Sequence, residues 1–114
     1  MRDCIFCKIV SKEIKSDIVY EDDKIMVFKD INPQAPVHHL VIPKNHIASL
    51  SECSDEKKEI IGELLLKAKE IAAGIPELEG GFRIVINDGK DAGQAVFHIH
   101  AHLLGGRRMS WPPG

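Results

Sequence analysis

This chain of 114 residues has little basic excess, few cysteines and no long apolar run. No stretch approaches the roughly 18 apolar residues in a row that suggest a membrane span, so no membrane association is expected. Fifteen Lys and Arg stand against seventeen Asp and Glu, a formal net charge of −2. The basic residues are scattered, with Arg107-Arg108 the only arginine pair. Nucleic-acid binding draws on a strongly basic face, so nucleic acid is not expected as a partner. The start, Met1-Arg2-Asp3-Cys4, has no apolar region after its basic residue and does not read as a signal peptide. A cytoplasmic protein is the default expectation. In that compartment Cys4 and Cys7 are poor disulfide candidates, and Cys53 is left over in any case.

Repeats, low-complexity tracts and linkers are also missing, so residues 1–114 are expected to form a single domain. With 44% apolar and 28% charged residues, the composition suits one modest core. A domain this small gains from a metal or a second subunit.

A short helix is expected over residues 4–10. Residues 18–21 and 24–29, rich in Ile, Val and Phe around Asp22-Asp23, predict an antiparallel hairpin. Pro33 and Pro36 make residues 30–36 a loop, and residues 39–42 a third strand closed by Pro43. A long helix is predicted over 55–73, with Ser54 as its N-cap and Gly74 and Pro76 beyond its end. Ile61, Leu64, Leu65, Ala68, Ile71 and Ala72 recur at helical spacing and define its buried face. Gly62 within it marks either a close contact or a tolerated defect costing about 1 kcal/mol. Residues 82–86 and 96–104 complete five strands around the loop 87–94. The pattern predicts an α+β fold with a mainly antiparallel sheet covered on one side.

The last strand carries the chemistry. Alternation puts Phe97, Ile99, Ala101 and Leu103 on one face, and His98, His100 and His102 on the other, at about 6.5–7 Å spacing. A core has no use for three imidazoles, each with two ring nitrogens to satisfy. A catalytic or metal-binding strip is the alternative to a merely solvated face. Beyond Gly105-Gly106, the tail Trp111-Pro112-Pro113-Gly114 fits neither a core strand nor a helix. It is read as docking on another surface, such as a second subunit, with a frayed terminus as the alternative. Near the other end, Cys4-Ile5-Phe6-Cys7 is a Cys-x-x-Cys knuckle, by itself ambiguous between redox, metal and chance. No βαβ setting supports a thioredoxin-like reading.

The run from Gly93 to Arg107, Gly-Gln-Ala-Val-Phe-His-Ile-His-Ala-His-Leu-Leu-Gly-Gly-Arg, resembles the signature of the histidine triad (HIT) superfamily. The Trp-Pro-Pro-Gly tail is similar to that of its Hint branch. Ile5-Phe6, Lys8-Ile9, Tyr20-Glu21-Asp22, Phe28-Lys29-Asp30-Ile31, Pro33-Gln34-Ala35-Pro36 and Leu40-Val41-Ile42-Pro43-Lys44 match Hint segments in the same order.

The resemblance implies a homodimer whose sheets join, and hydrolysis of the P–N bond of purine nucleoside phosphoramidates such as adenosine monophosphoramidate. His100 is then the nucleophile, forming a nucleotidyl-histidine, with His102 at the phosphate and His38 in support. Asp30 binds the ribose hydroxyls, with Phe28 and Ile31 beside the base. Asn87, Gly93, Gln94 and the Ala95 amide line the phosphate, and Trp111 reaches the partner's site. Zinc-containing relatives, galactose-1-phosphate uridylyltransferase among them, pair such cysteines with two histidines. Carried over, Cys4, Cys7, His46 and His98 hold a structural zinc. The Hint pattern usually has Ser where this chain has Ala95, which removes a hydroxyl beside the phosphate. His39 faces away from His38 and reads as structural or surface. The competing readings are a dinucleoside polyphosphate hydrolase of the Fhit-like branch and a zinc-stabilised nucleotide-binding or scaffold protein with negligible catalysis.

Overall fold

The computed structural model describes residues 3–114. Met1 and Arg2, which open the N-terminal reading, lie outside the described residues.

The expected hairpin is present as β1 (Ile18–Glu21) and β2 (Ile25–Lys29), paired antiparallel. Asp22 builds its turn. One carboxylate oxygen accepts the N–H groups of Lys24 and Ile25 at 2.8 and 2.9 Å, and the other accepts the Tyr20 hydroxyl at 2.7 Å. These bonds, the Lys24 amide first, hold the Asp22 carboxyl below its ordinary pKa. β2 begins one residue later than expected, directly after this turn.

β3 (Val37–Pro43) is longer than expected and buried throughout. It runs along all of β2, from Lys29 opposite His39 to Ile25 opposite Pro43. Proline is tolerated there because it occupies the strand's last position. β4 (Phe82–Val85) and β5 (Ala101–Gly105) complete a five-stranded sheet of order β1-β2-β3-β5-β4, antiparallel at every pairing. At the end of β5 a side chain on Gly105 would meet the end of the Leu78 side chain, which would have to shift.

The long helix opens with a 3-10 turn over Asp55–Lys57 and continues as α2 (Lys58–Ala73). Ser54 precedes it but makes no side-chain cap bond. After Ala73 the N–H groups of Gly74 and Ile75 bond back to Ile71 and Ala72 and end the helix. Leu64, Ala68 and Ala72 are buried as the periodicity predicts, while Leu65 is 40% exposed. Gly62 has open space around it and makes no close contact within this chain.

The two sheet faces differ. One packs Val27, Val41 and Ala101 under Leu64 and Ala68, and Val37 and Leu103 under Ala72 and Leu78. The other presents Met26, Phe28, Leu40 and Ile42 to Phe6 and Ile9. Those two belong to α1 (Ile5–Val10), whose N-cap is Cys4, its sulfur accepting the Cys7 amide at 3.3 Å. A six-residue helix is barely stable through its own hydrogen bonds. Burial of Phe6 and Ile9 holds it in place.

Candidate functional site

The histidine run departs from a simple strand. β5 starts at Ala101, so His98 and His100 precede it, and Phe97, expected in the core, is 51% exposed. The cause lies in the backbone. The carbonyl of Val96 accepts from the Gln94 side chain, and that of His98 from the His100 ring. The Ile99 amide goes to Ile47 at 2.6 Å. Groups a ladder would need are already paired, so the strand cannot extend towards residue 96.

These bonds fix the protonation of each ring. His98 is 0% exposed and donates from Nε2 to the Pro43 carbonyl at 2.7 Å, so its Nδ1 is bare. His100 donates from Nδ1 to the His98 carbonyl at 2.8 Å, which leaves the lone pair on Nε2. His38 accepts the Gln34 amide on Nδ1 at 3.0 Å, so its proton sits on Nε2 and is donated to Nδ1 of His102 at 2.8 Å. His102 therefore carries its own proton on Nε2. Three neutral imidazoles result, and burial is the main reason: it lowers the pKa of His38 and His100, and that of His102 to about 4. Asp30 lies 3.4 Å from Nε2 of His38 and opposes the shift there.

A cavity of about 310 Å³ opens over this cluster. Of the expected site residues, Phe28, Asp30, Ile31, Ala95, His100 and His102 line it. His38 stands behind His102. Asn87, Gly93 and Gln94 belong to the adjoining loop and do not line the cavity. The Gln94 side chain is fully engaged there, accepting the Gly89 amide and donating to the carbonyls of Ala48 and Val96. Gly93, at φ 89, turns the chain into that position. Trp111 is 81% exposed and lies beside Arg83, away from the cavity within this chain.

Sequence reasoning missed one whole wall. Ile5, Phe6 and Ile9 of α1 line the cavity, with Ile14 and Ser16 beyond them. Phe6 meets the His100 ring edge-on at 5.1 Å and Phe28 at 5.5 Å. Its place between the two cysteines was the available clue, since any anchor for that knuckle anchors Phe6 too.

Cys4, Cys7, His46 and His98 are brought together, with all four donor atoms within 4.8 Å of one another. Sulfur to Nδ1 distances are 3.3 Å for Cys4–His98, 3.5 Å for Cys7–His46 and 3.6 Å for Cys7–His98. Zinc bonds of about 2.3 Å to sulfur and 2.0–2.1 Å to nitrogen, set tetrahedrally, give sulfur–nitrogen edges of about 3.5 Å. The group fits such an ion. The bare Nδ1 of His98, held by its Nε2 bond to Pro43, is the second support a ligating histidine needs. A second cluster, Asp30, His38 and His102, fails the same test, because His38 Nε2 carries a proton and aims it at His102.

A HIT domain model matches residues 11–109. The chain belongs to the HIT family. Within that family, a HIT family hydrolase from Legionella pneumophila superposes with a TM-score of 0.95 at 48% identity, covering 98% of this chain and 100% of that one. An uncharacterised HIT-like protein of Synechocystis is 55% identical over 112 residues, 98% of this chain and 97% of its own. A 14 kDa zinc-binding protein of Zea mays is 54% identical over 112 residues, 96% of this chain and 87% of its own. Sequence and fold thus set this HIT protein among hydrolases. Among the described residues, no helix is long and apolar enough to cross a membrane.

Proposed function

We propose that this chain is a Hint-type nucleoside phosphoramidate hydrolase acting through a covalent nucleotidyl-His100. The observation that carries the reading is the His100 ring at the cavity. Its Nδ1–H is held by the His98 carbonyl, and its Nε2 is left as a neutral nucleophile. A purine nucleotide occupies the cavity, its base between the α1 wall and Phe28 and Ile31, its ribose hydroxyls on Asp30. The phosphate meets the Nε2–H of His102 and the Ala95 amide, while the Gly93 and Gln94 amides, bonded to the Lys90 and Gly89 carbonyls, shape the loop beside it, with Asn87 nearby.

Nε2 of His100 attacks the α-phosphorus in line with the P–N bond. That bond breaks, and the amine leaves after taking one proton. Water then cleaves the P–Nε2 bond, releasing the nucleoside monophosphate and restoring neutral His100. Positioning and charge stabilisation carry most of such a reaction. Burial keeps His102 uncharged in the free cavity, so a standing imidazolium is not the acid. With its Nδ1 accepting from His38, His102 donates its Nε2–H to the phosphate, and the amine takes its proton from solvent water. His38 keeps the His102 ring oriented.

Cys4, Cys7, His46 and His98 hold a structural zinc, a reading supported by the donor geometry and by the zinc-binding relative. With all four positions filled by protein, the ion supplies a cross-link between α1 and the histidine run. The chain acts as one HIT domain, and its reduced thiols suit the cytoplasm. A homodimer is supported by β4 as an open sheet edge and by exposed Leu65, Leu66 and Phe82, with Trp111 reaching the partner's cavity.

The deciding experiment is turnover of adenosine monophosphoramidate by wild type and His100→Ala, with quenched samples taken for mass spectrometry. Wild type is expected to show a nucleotidyl adduct on His100, and the variant to lose at least about 10³-fold in turnover. Equal rates in the two proteins sink the proposal. Elemental analysis of protein purified without chelator is expected to find one zinc per chain, lost in Cys4→Ser.

A further inference from the structure

Two buried side-chain atoms among the described residues have no hydrogen-bond partner: His39 Nδ1, on the α2 side of the sheet, and Ser16 Oγ. Ser16 lies in the segment between Ile14 and β1 and lines the cavity over the histidines. Its position is not loose. The Lys29 amide bonds to the Asp17 carbonyl at 2.9 Å and ties this segment to the end of β2, where Phe28 and Asp30 stand. Its neighbours Lys15 and Asp17 are exposed, so the inward hydroxyl is a local exception.

The cavity's polar groups divide by position. Asp30, His100 and His102 are taken up by sugar and phosphate in the reaction proposed above, and Lys15 and Lys29, which also line the cavity, are exposed residues. Around the base, Ile5, Phe6, Ile9, Ile14, Phe28 and Leu40 offer apolar surface only. Such walls recognise a flat ring but cannot tell one purine from another, since purines differ in the amino and oxo groups at their rim. A buried hydroxyl without a partner destabilises the free protein, and native structures retain few such groups.

We propose that the Ser16 hydroxyl reads the rim of the nucleobase and sets the purine preference of the site. A single rotamer step about χ1 turns the hydroxyl to a base filling the cavity, where it donates to an oxo or ring nitrogen or accepts from an amino group. Those alternatives differ in geometry, so one purine is favoured. This inference rests on the nucleotide reading and deepens it.

Calorimetric titration of wild type and Ser16→Ala with AMP, GMP and ribose 5-phosphate tests it. In wild type one purine nucleotide binds better than the other. The variant loses about 5–10-fold on the better one, the loss of one hydrogen bond, and brings the two nearer to equality. Ribose 5-phosphate affinity stays unchanged, because the base is missing. The thermal midpoint of the free variant stays equal or rises, since an unpaired hydroxyl has been removed. Wild type that binds nucleotides while Ser16→Ala leaves the AMP to GMP ratio unaltered overturns the inference alone. A lower midpoint for the free variant, with equal losses on all three ligands, also overturns it by assigning the hydroxyl to the fold. Wild type that binds neither nucleotide overturns both this inference and the proposed function.

Discussion

The two faces of the sheet are made by the same strands yet obey different rules. Towards α2, alternate residues of β3 and β5 supply Val41 and Ala101, which close against Leu64 and Ala68, and Leu103, which closes against Ala72 and Leu78. Towards α1, the residues between them supply Leu40, His38 and His102, and the cover is one six-residue helix that leaves about 310 Å³ open. The first face is held by continuous aliphatic burial. The second is held by specified hydrogen bonds, ring against carbonyl and ring against ring, and it keeps its imidazoles neutral. A strand period of two allows this division, since successive side chains belong to opposite sides. The fold can therefore be stabilised on one side while the other carries partly filled polar space.

The largest effect expected from this contrast is on the α2 side. Leu64 is fully buried among Val27, Val41 and Ala101. Leu64→Ala is expected to cost about 2–5 kcal/mol of unfolding free energy, measured by denaturant titration at pH 7. The folded fraction should bind nucleotide as wild type does. His100→Ala is the mirror case, losing turnover while shifting stability far less. If Leu64→Ala instead weakens nucleotide binding by the folded protein about tenfold or more, the faces are coupled and the division fails.

His39 sharpens the same contrast from an unexpected position. It sits on the α2 side, between Val37 and Val41 along β3, buried with Nδ1 unpartnered. Burial lowers its pKa against an opposing backbone contact at His38, and the nearby Lys29 charge adds to the lowering. The unfolded chain takes up this proton near the ordinary histidine value of about 6.5, and the folded chain only at lower pH. Between those values the unfolded state binds more protons, so the stability present above about 6.5 is lost as pH falls. His39→Leu removes that contribution. Its unfolding free energy should match or exceed that of wild type at pH 7, and the gap should widen by pH 5. Other groups, the four proposed zinc ligands included, titrate alike in both proteins and cancel in the difference. A gap that stays constant with pH means His39 does not titrate as its burial implies.

How far the sequence disclosed all this depended on whether a feature was local. The five strands and α2 followed from period and turn residues, with boundaries shifted by a few residues where side chains took backbone bonds. β2 begins directly after the Asp22 turn, and Gln94 and His100 cut β5 short. The Cys4, Cys7, His46 and His98 cluster was legible through family resemblance, and its donors do meet. Phe6 and Ser16 were not legible. Nothing in their spacing says that α1 and the segment before β1 fold over the histidines, because that contact joins residues some ninety positions apart. Leu65 obeyed the helical period and still lies 40% exposed, beside the exposed Leu66.

The smallest expected effect concerns the boundary between the faces, at Ala95. This residue is exposed and lines the cavity, and in the reaction proposed above its methyl takes the place of a hydroxyl beside the phosphate and its leaving group. A serine there adds a polar atom in contact with solvent, so the fold gains no unpaired buried group and stability should stay within about 0.5 kcal/mol. The added hydroxyl can donate to a phosphate oxygen or to the departing nitrogen as charge develops, which acts on turnover more than on binding. Ala95→Ser is therefore expected to keep kcat for adenosine monophosphoramidate equal to wild type or raise it by up to about tenfold, with nucleotide affinity little changed. Steady-state kinetics and a titration with AMP measure the two quantities. A large fall in kcat at unchanged affinity means that Ala95 does not stand beside the leaving group, and that the loop from Gly93 presents a different atom to the phosphate.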